Sequence, residues 1–282
     1  MAPIKVIILG AGNRGTVYAS YASNFPEHMQ VMGVAEPRAD FRDRMAQAHH
    51  IPPRNVCADW RELAERPRFA DAAVIATPDQ LHTAPALALV ERGYHILLEK
   101  PMAVTETDCR QITAAAQQHG IIFGVAHVMR YTRYTRKLKE ILDSGAIGEL
   151  VSLQHLEPVG YWHQAHSYVR GNWRNAESST FMLLAKSCHD LDWMTYLMGS
   201  KCLAVSSFGS LAHFTPQNRP AGAAERCLDC AVEASCPYSA VRIYLGRVQQ
   251  GMLGHPVSVV AAAPTPESVT QALREGPYGR CV

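Results

Sequence analysis

Ile4-Lys5-Val6-Ile7-Ile8-Leu9-Gly10-Ala11-Gly12-Asn13-Arg14-Gly15-Thr16-Val17-Tyr18-Ala19 decides the fold. An apolar, β-branched run of strand length meets G-x-G-x-x-G and then helix-compatible residues through Ser23, the order in which a parallel α/β sheet presents a dinucleotide. Gly10 allows the tight turn, Gly12 lets the backbone approach a pyrophosphate, and Gly15 lets the helix pack closely on the strand. Asn13 and Arg14 occupy the two positions between, and the helix N-terminus supplies the anion site. A glycine turn without a ligand is the bland reading of such a motif, and the strand before it and helix after it argue against that reading here.

Working outward, Gln30–Ala35 reads as a second strand and Glu36 follows it, 21 residues after Gly15. An acid at that place accepts the hydroxyls of an adenosine ribose, which favours NAD. Arg38, two residues on, suits a ribose phosphate and keeps NADP open. Ala39–His49 reads as a helix, Asp71–Ala76 as a strand, Pro85–Arg92 as a helix closed by Gly93, and His95–Leu98 as a strand. Thr105 opens a further helix to His119, with Asp108 as its capping partner, and Ile121–Ala126 closes the sheet. Strands alternating with helices predict a doubly wound parallel Rossmann sheet over residues 1–126.

Beyond Ala126 the composition shifts toward Tyr, Trp, His and Arg, and a second domain over residues 127–282 is expected. Tyr134–Asp143 reads as a helix, Glu149–Glu157 as a strand, Phe181–Met198 as a long apolar helix and Lys201–Phe208 as a strand. Pro216–Cys236 and Ala261–Gly279 read as loops with short helices.

Lys plus Arg total 27 against 25 Asp plus Glu, a net charge of +2 that gives no footprint for nucleic acid. No apolar run approaches bilayer length, and Val6–Leu9 is too short for a signal core. The expectation is a soluble, cytoplasmic protein whose partner is a small molecule. Cys227, Cys230 and Cys236 form C-x2-C-x5-C in a Cys-rich loop over residues 216–240, with Cys281 available as a fourth thiolate. Four sulfurs suit a structural zinc site; an iron–sulfur cluster, free thiols and disulfides are the alternatives.

Leu98-Glu99-Lys100-Pro101 at a strand end, with Ala76-Thr77-Pro78-Asp79 and His82 upstream, joins the glycine turn to give a more specific picture. Together these motifs resemble the glucose-fructose oxidoreductase / inositol dehydrogenase / rhizopine-catabolism (Gfo/Idh/MocA) family. The resemblance implies an α+β second domain with an open, mostly antiparallel sheet, and a lysine, here Lys100, between nicotinamide and substrate. It adds Thr77, Pro78, Asp79, His82 and Glu99 to the cofactor side. It also implies a substrate cleft lined by Arg130, Tyr131, Trp173 and Arg174. Aromatic faces suit a sugar ring, and arginine suits hydroxyls or an acid.

The family carries an acid four residues before a helix histidine, so that both share one face. This chain has Ala185 there, four before His189. His189 is the expected general acid or base, and Lys186 is a candidate for the proton relay. His163 and His166 are read as hydroxyl contacts rather than metal ligands.

Two functions follow from the resemblance: hydride transfer between NAD(P) and a secondary alcohol of a sugar, inositol or related polyol, and an NAD-dependent glycoside hydrolase; the departure at Ala185 adds a third, a nucleotide-binding regulatory protein without catalysis. With two confident strands after Ala126, the second sheet is expected to be incomplete, the chain shortened at its C-terminus, and association into a homo-oligomer to run through that sheet.

Overall fold

The computed structural model describes residues 2–282. Ile4–Leu9 forms β1, the central strand of a six-stranded sheet. Its side chains alternate between two buried faces, as a strand covered by helices on both sides requires. Val6 and Ile8 join Val31, Val34, Val74 and Ala19 on one face. Ile7 and Leu9 join Ile75, Leu89, Tyr94, Leu98 and Ile112 on the other. Truncating a fully buried Leu98 to Ala in such a core costs about 2–5 kcal/mol.

The remaining elements alternate as the sequence predicts, with β3 and α3 in addition. α1 (Asn13–Asn24), β2 (Met29–Ala35), α2 (Ala39–Ala48), β3 (Val56–Cys57), α3 (Arg61–Ala64), β4 (Ala72–Ile75), α4 (Thr83–Glu91), β5 (His95–Leu98), α5 (Glu106–Gln118) and β6 (Phe123–Val125) build a sheet of order β3-β2-β1-β4-β5-β6. Every pairing in it is parallel. Thr105 Oγ1 accepts the Asp108 N–H at 3.1 Å, capping α5 at the expected residue. The winding reverses between β1 and β4, and ligands of open α/β sheets bind at the carboxyl ends of the strands at such a reversal. Gly10, Thr77 and Lys100 all follow strand ends on that edge. The two-residue strand β3 carries too little pattern to be seen in sequence.

The C-terminal half is helical: α6 (Arg133–Asp143), α7 (Tyr161–His163), α8 (Cys188–Met198), α9 (Gly246–Gln249), α10 (Val257–Val260) and α11 (Pro266–Glu275). Wide π-type turns at Gln164–Arg170, Leu183–Ser187 and Val241–Leu245 lead out of or into these helices. A third core gathers Ala240, Tyr244, Val257, Val269 and Leu273. The expected antiparallel sheet is not formed among the described residues. Glu149–Glu157 and Lys201–Phe208 form no strand and pair with none, and most of their apolar side chains stand in solvent, Val151 at 89% and Phe208 at 97% exposure. A strand needs a neighbour whose N–H and C=O groups match its own, and neither segment has one. The sheet through which a homo-oligomer was expected is therefore absent as well.

Candidate active site

The glycine turn is shaped by what cannot fit. Gly10 has φ +88°, and a Cβ there would lie 2.6 Å from the Ala76 carbonyl oxygen. A Cβ on Gly15 would lie 1.9 Å from the Gly10 carbonyl oxygen, so α1 packs directly on the strand end. A Cβ on Gly12 would meet only the Arg38 guanidinium, at 3.4 Å, leaving the backbone open to a ligand. α1 has no side-chain cap and no acid in its first turn, so its leading N–H groups are free for an anion. These residues fit the pyrophosphate of a nicotinamide dinucleotide. Asn13 is exposed at the first turn of α1.

Glu36 follows directly on β2 and is 3% exposed. Its Oε2 accepts the Ala11 N–H at 2.9 Å, and Arg38 donates Nε to Oε1 at 2.7 Å and Nη2 to Oε2 at 3.0 Å. Burial raises the carboxyl, yet the Arg38 and Ala11 donors outweigh it and hold Glu36 below the usual carboxylate range. Acid and arginine, expected as rivals for the ribose, form one bidentate pair.

Glu99 does not face the cofactor turn as a free group. Arg14 Nε and Tyr18 Oη both donate to its Oε1 at 2.6 Å, and its Oε2 accepts the Lys100 N–H at 2.8 Å. These donors outweigh burial and keep Glu99 below the usual range. Burial first, then the bond to Glu99, push the Tyr18 phenol up to about 12, against the opposing Arg14 guanidinium.

The loop after β4 runs across to the C-terminal half. Thr77 Oγ1 donates to the Leu81 carbonyl at 3.0 Å, Pro78 is exposed, and Gln80 donates to the carbonyls of Glu177 and Ser179. Asp79, 4% exposed, accepts the Trp173 indole N–H at 2.7 Å, and burial raises its carboxyl despite that bond. His82 is wholly buried, its two ring nitrogens 2.9 Å and 2.8 Å from the Thr77 and Pro101 carbonyl oxygens. It ties this loop to the Lys100–Pro101 turn instead of contacting a ligand.

Lys100 reaches out of the sheet, donating Nζ to the Ala185 carbonyl at 2.7 Å, with the Trp173 ring 5.7 Å away. Ala185 stands where the resemblance leads one to expect an acid. Its side chain is buried, and its carbonyl on the wide turn Leu183–Ser187 takes the ammonium instead. Such π-type widenings free or redirect carbonyls and cluster at functional sites.

His189, on the first turn of α8, completes the constellation. Burial first, then the Lys100 ammonium and His127, push its imidazole down to about 4, so the ring is neutral near pH 7. Its Nδ1 is buried without a partner, and so is that of His127, the two rings lying edge to face at 5.8 Å. Burial also lowers His127, Asp192 opposing and Arg130 and Lys100 reinforcing. The sequence reading missed His127. Its signal was position alone, two residues past β6 at the carboxyl edge of a parallel sheet.

Other expected site residues are differently engaged. Arg130 is clamped by Asp192, with Nε to Oδ2 at 2.7 Å, and is not free for a substrate. Tyr131 is 68% exposed, and Arg174 is exposed and donates to the Gly171 carbonyl at 3.4 Å. Lys186 pairs with Glu157 at 2.7 Å. His166 belongs to the third core, bonded to the Tyr244 hydroxyl at 2.8 Å and pushed down to about 3 by burial and His255. Hydroxyl contact with a substrate is thereby closed to its Nδ1.

Among the described residues, one trio of potential metal-ligating atoms lies within 4.8 Å of one another: His155, Glu157 and Asp190. The Lys186 ammonium already supplies a cation to Glu157, and His155 Nε2 lies 2.9 Å from Asp190 Oδ1. The four sulfurs expected to hold zinc do not converge in this way, and their cysteines are all free. No helix of the described residues is long and apolar enough to cross a membrane.

Comparison with known proteins agrees with the fold. Residues 4–127 match the model of the Gfo/Idh/MocA oxidoreductase family, NAD-binding Rossmann fold, and residues 135–234 match the Gfo/Idh/MocA C-terminal domain. The chain is 30% identical over 144 residues to 2,7-anhydro-N-acetylneuraminate hydratase of Mediterraneibacter gnavus, covering 51% of this chain and 37% of that protein. It is 25% identical over 197 residues to the NADP-dependent scyllo-inositol 2-dehydrogenase of Bacillus subtilis, covering 70% and 52%. Scyllo-inositol dehydrogenase from Lactobacillus casei, solved with NAD(H) and scyllo-inositol, superposes with TM-score 0.60 at 20% identity, over 70% of this chain and 56% of that one. The matched regions span 37% to 56% of the length of these curated relatives.

Proposed function

The chain belongs to the Gfo/Idh/MocA oxidoreductase family, and from that premise we propose that it transfers hydride between NAD(P) and a secondary alcohol of a sugar, inositol or related polyol. The observation that carries this reading is that Lys100, held on the Ala185 carbonyl at the carboxyl edge of the sheet, lies close enough to depress His189, whose Nδ1 is buried without a partner. The turn Gly10–Gly15, with Asn13 and Arg14, and the Glu36–Arg38 pair hold the dinucleotide. A dinucleotide held there would supply the nicotinamide as hydride acceptor.

The neutral His189 imidazole accepts the hydroxyl proton, since an acceptor already free at pH 7 needs no prior deprotonation. Lys100 places a positive charge beside the oxygen as negative charge develops there. Its bond to the Ala185 carbonyl fixes the ammonium without the neutralising effect that a carboxylate would have. Trp173, held by Asp79, offers an aromatic face to the ring of the substrate. In this division residues 1–126 bind cofactor and residues 127–282 bind substrate. Glu36, with its charge already at the ribose position, favours NAD over NADP.

The test is absorbance of the reduced cofactor with a polyol panel and each of NAD and NADP. Reduction that depends on polyol supports the reading. A hydratase among the relatives favours a second reading, elimination or hydration without net cofactor reduction, which also covers glycoside cleavage. It predicts product by NMR with no net absorbance change. Cofactor binding with neither signal would leave a regulatory nucleotide-binding protein.

A further inference from the structure

Cys227, Cys230, Cys236 and Cys281 line one cavity of about 330 Å³ in the C-terminal half, away from the sheet edge. Cys230 ends the tight turn Cys227–Asp229, and Cys236 ends a second turn, Glu233–Ser235. Cys281 is brought alongside by the antiparallel bridge between Arg226 and Arg280, its N–H donating to the Glu225 carbonyl at 2.9 Å. Residues far apart in the chain thus carry four free thiols to one space.

Arg170 closes the same cavity and is 0% exposed. Its Nε donates to the Arg280 carbonyl at 2.6 Å. Nη2 donates to the Tyr238 carbonyl at 2.7 Å and to Cys227 Sγ at 3.3 Å. Its Nη1 is buried with no partner. Among the described residues no carboxylate forms an ion pair with this guanidinium. Glu233 also lines the cavity, but its carboxylate takes the Ser239 hydroxyl. A fully buried cation held only by carbonyls and a thiol lacks the counter-charge that such burial demands.

The geometry points to a thiolate-held soft metal centre in which Cys227, Cys230, Cys236 and Cys281 are the ligands and Arg170 is the buried counter-ion. Four thiolates around a divalent ion carry a net charge of −2, which answers the uncompensated guanidinium, and Nη1 and Nη2 become N–H···S donors to the ligand sulfurs. No three of the sulfurs lie within 4.8 Å of one another, so loading draws the two turns inward across the cavity. Metal binding then orders this segment, as it does where ligands come from short turns. Each thiol loses its proton to solvent as its sulfur–metal bond forms. Zinc(II) and an iron–sulfur cluster share this donor chemistry.

The test uses the full chain purified without chelator and without oxygen. Elemental analysis is expected to give about one zinc per chain, or iron with sulfide and a broad visible absorption, which distinguishes the two sources. Cobalt(II) added to stripped protein is expected to give thiolate-to-metal charge-transfer absorption that is lost in Cys230→Ser and Cys236→Ser. Cofactor titration of the same variants reports whether the Rossmann half remains folded. Arg170→Gln keeps hydrogen-bond donors but removes the charge, and is expected to weaken metal affinity about 10- to 100-fold. Protein that carries no zinc or iron and gives no cobalt charge-transfer band overturns the proposal. An intact mass lighter by hydrogen pairs, showing these thiols joined as disulfides, overturns it too.

Discussion

The depressed imidazole of His189 makes the sharpest prediction. Burial, Lys100 and His127 hold it at about 4, against about 6.5 for an unperturbed histidine. The proposed base must be neutral to accept a proton. At pH 5 a group titrating at 4 is about 90% neutral, whereas one titrating at 6.5 is about 3% neutral, a difference of about 30-fold in competent enzyme. kcat/KM for alcohol oxidation at saturating cofactor should therefore hold nearly level on the acid side down to about pH 5. His189→Ala should lower it by about 10²-fold or more. Replacing Lys100 by Met removes a cation, so the imidazole midpoint, followed by NMR, should climb toward its ordinary value. The same depression has a stability consequence. The folded state binds fewer protons than the unfolded one, so the contribution is complete above about 6.5 and is lost as pH falls toward 4. Circular dichroism at each pH separates that loss from the kinetic one. An acid limb near 6.5 in native protein would refute the assignment of His189 as a pre-deprotonated base.

Three further outcomes test the cofactor side and the lysine. Glu36→Ala removes the ribose acceptor and frees Arg38, so NAD affinity should fall about tenfold and NADP affinity less; equal losses in fluorescence titrations would remove Glu36 from that role. Gly15→Ala places a methyl against the Gly10 carbonyl and should cost about 1–3 kcal/mol in thermal unfolding, together with cofactor affinity. An unchanged Tm would show that α1 does not pack as described. Lys100→Met should lower turnover about 10²- to 10³-fold while leaving NAD affinity within a few fold; near-native turnover would place the chemistry elsewhere.

The Rossmann half was legible because several signals agreed: buried runs of strand length, the glycine turn, and caps such as Thr105 and Gly93. Element ends differ from expectation by a residue or so in most cases, and His95–Leu98 matches at both ends. Sequence also led to Lys100 and His189, but through a resemblance rather than a pattern. It did not lead to His127, because a lone histidine after a short strand carries no periodicity. Nor did it show that Arg130 is held by Asp192, 62 residues away, since such pairing is a property of the folded contact alone.

The C-terminal half shows the limit more clearly. Glu149–Glu157 and Lys201–Phe208 have strand-like composition, yet strand character depends on a partner that composition cannot supply. The wide turn at Leu183–Ser187 lies in a run whose sequence predicts ordinary helix, because a single extra residue in a turn leaves the apolar spacing almost unchanged. That turn is what presents the Ala185 carbonyl to Lys100.

Glu99 has a consequence for the order of events. One of its oxygens is held by Arg14 and Tyr18 from α1, the helix proposed to receive the pyrophosphate, and the other by the backbone of Lys100. Anything that repositions Arg14 on the arrival of a dinucleotide is transmitted through a single rigid carboxylate to the base of the Lys100 side chain. A shift of Arg14 on the arrival of a dinucleotide would thus bear on the Lys100 backbone before a substrate meets its side chain. Initial-rate patterns should then be those of a compulsory sequence, cofactor on first and off last. Breaking the tether with Glu99→Gln should loosen that sequence toward random addition before it abolishes turnover.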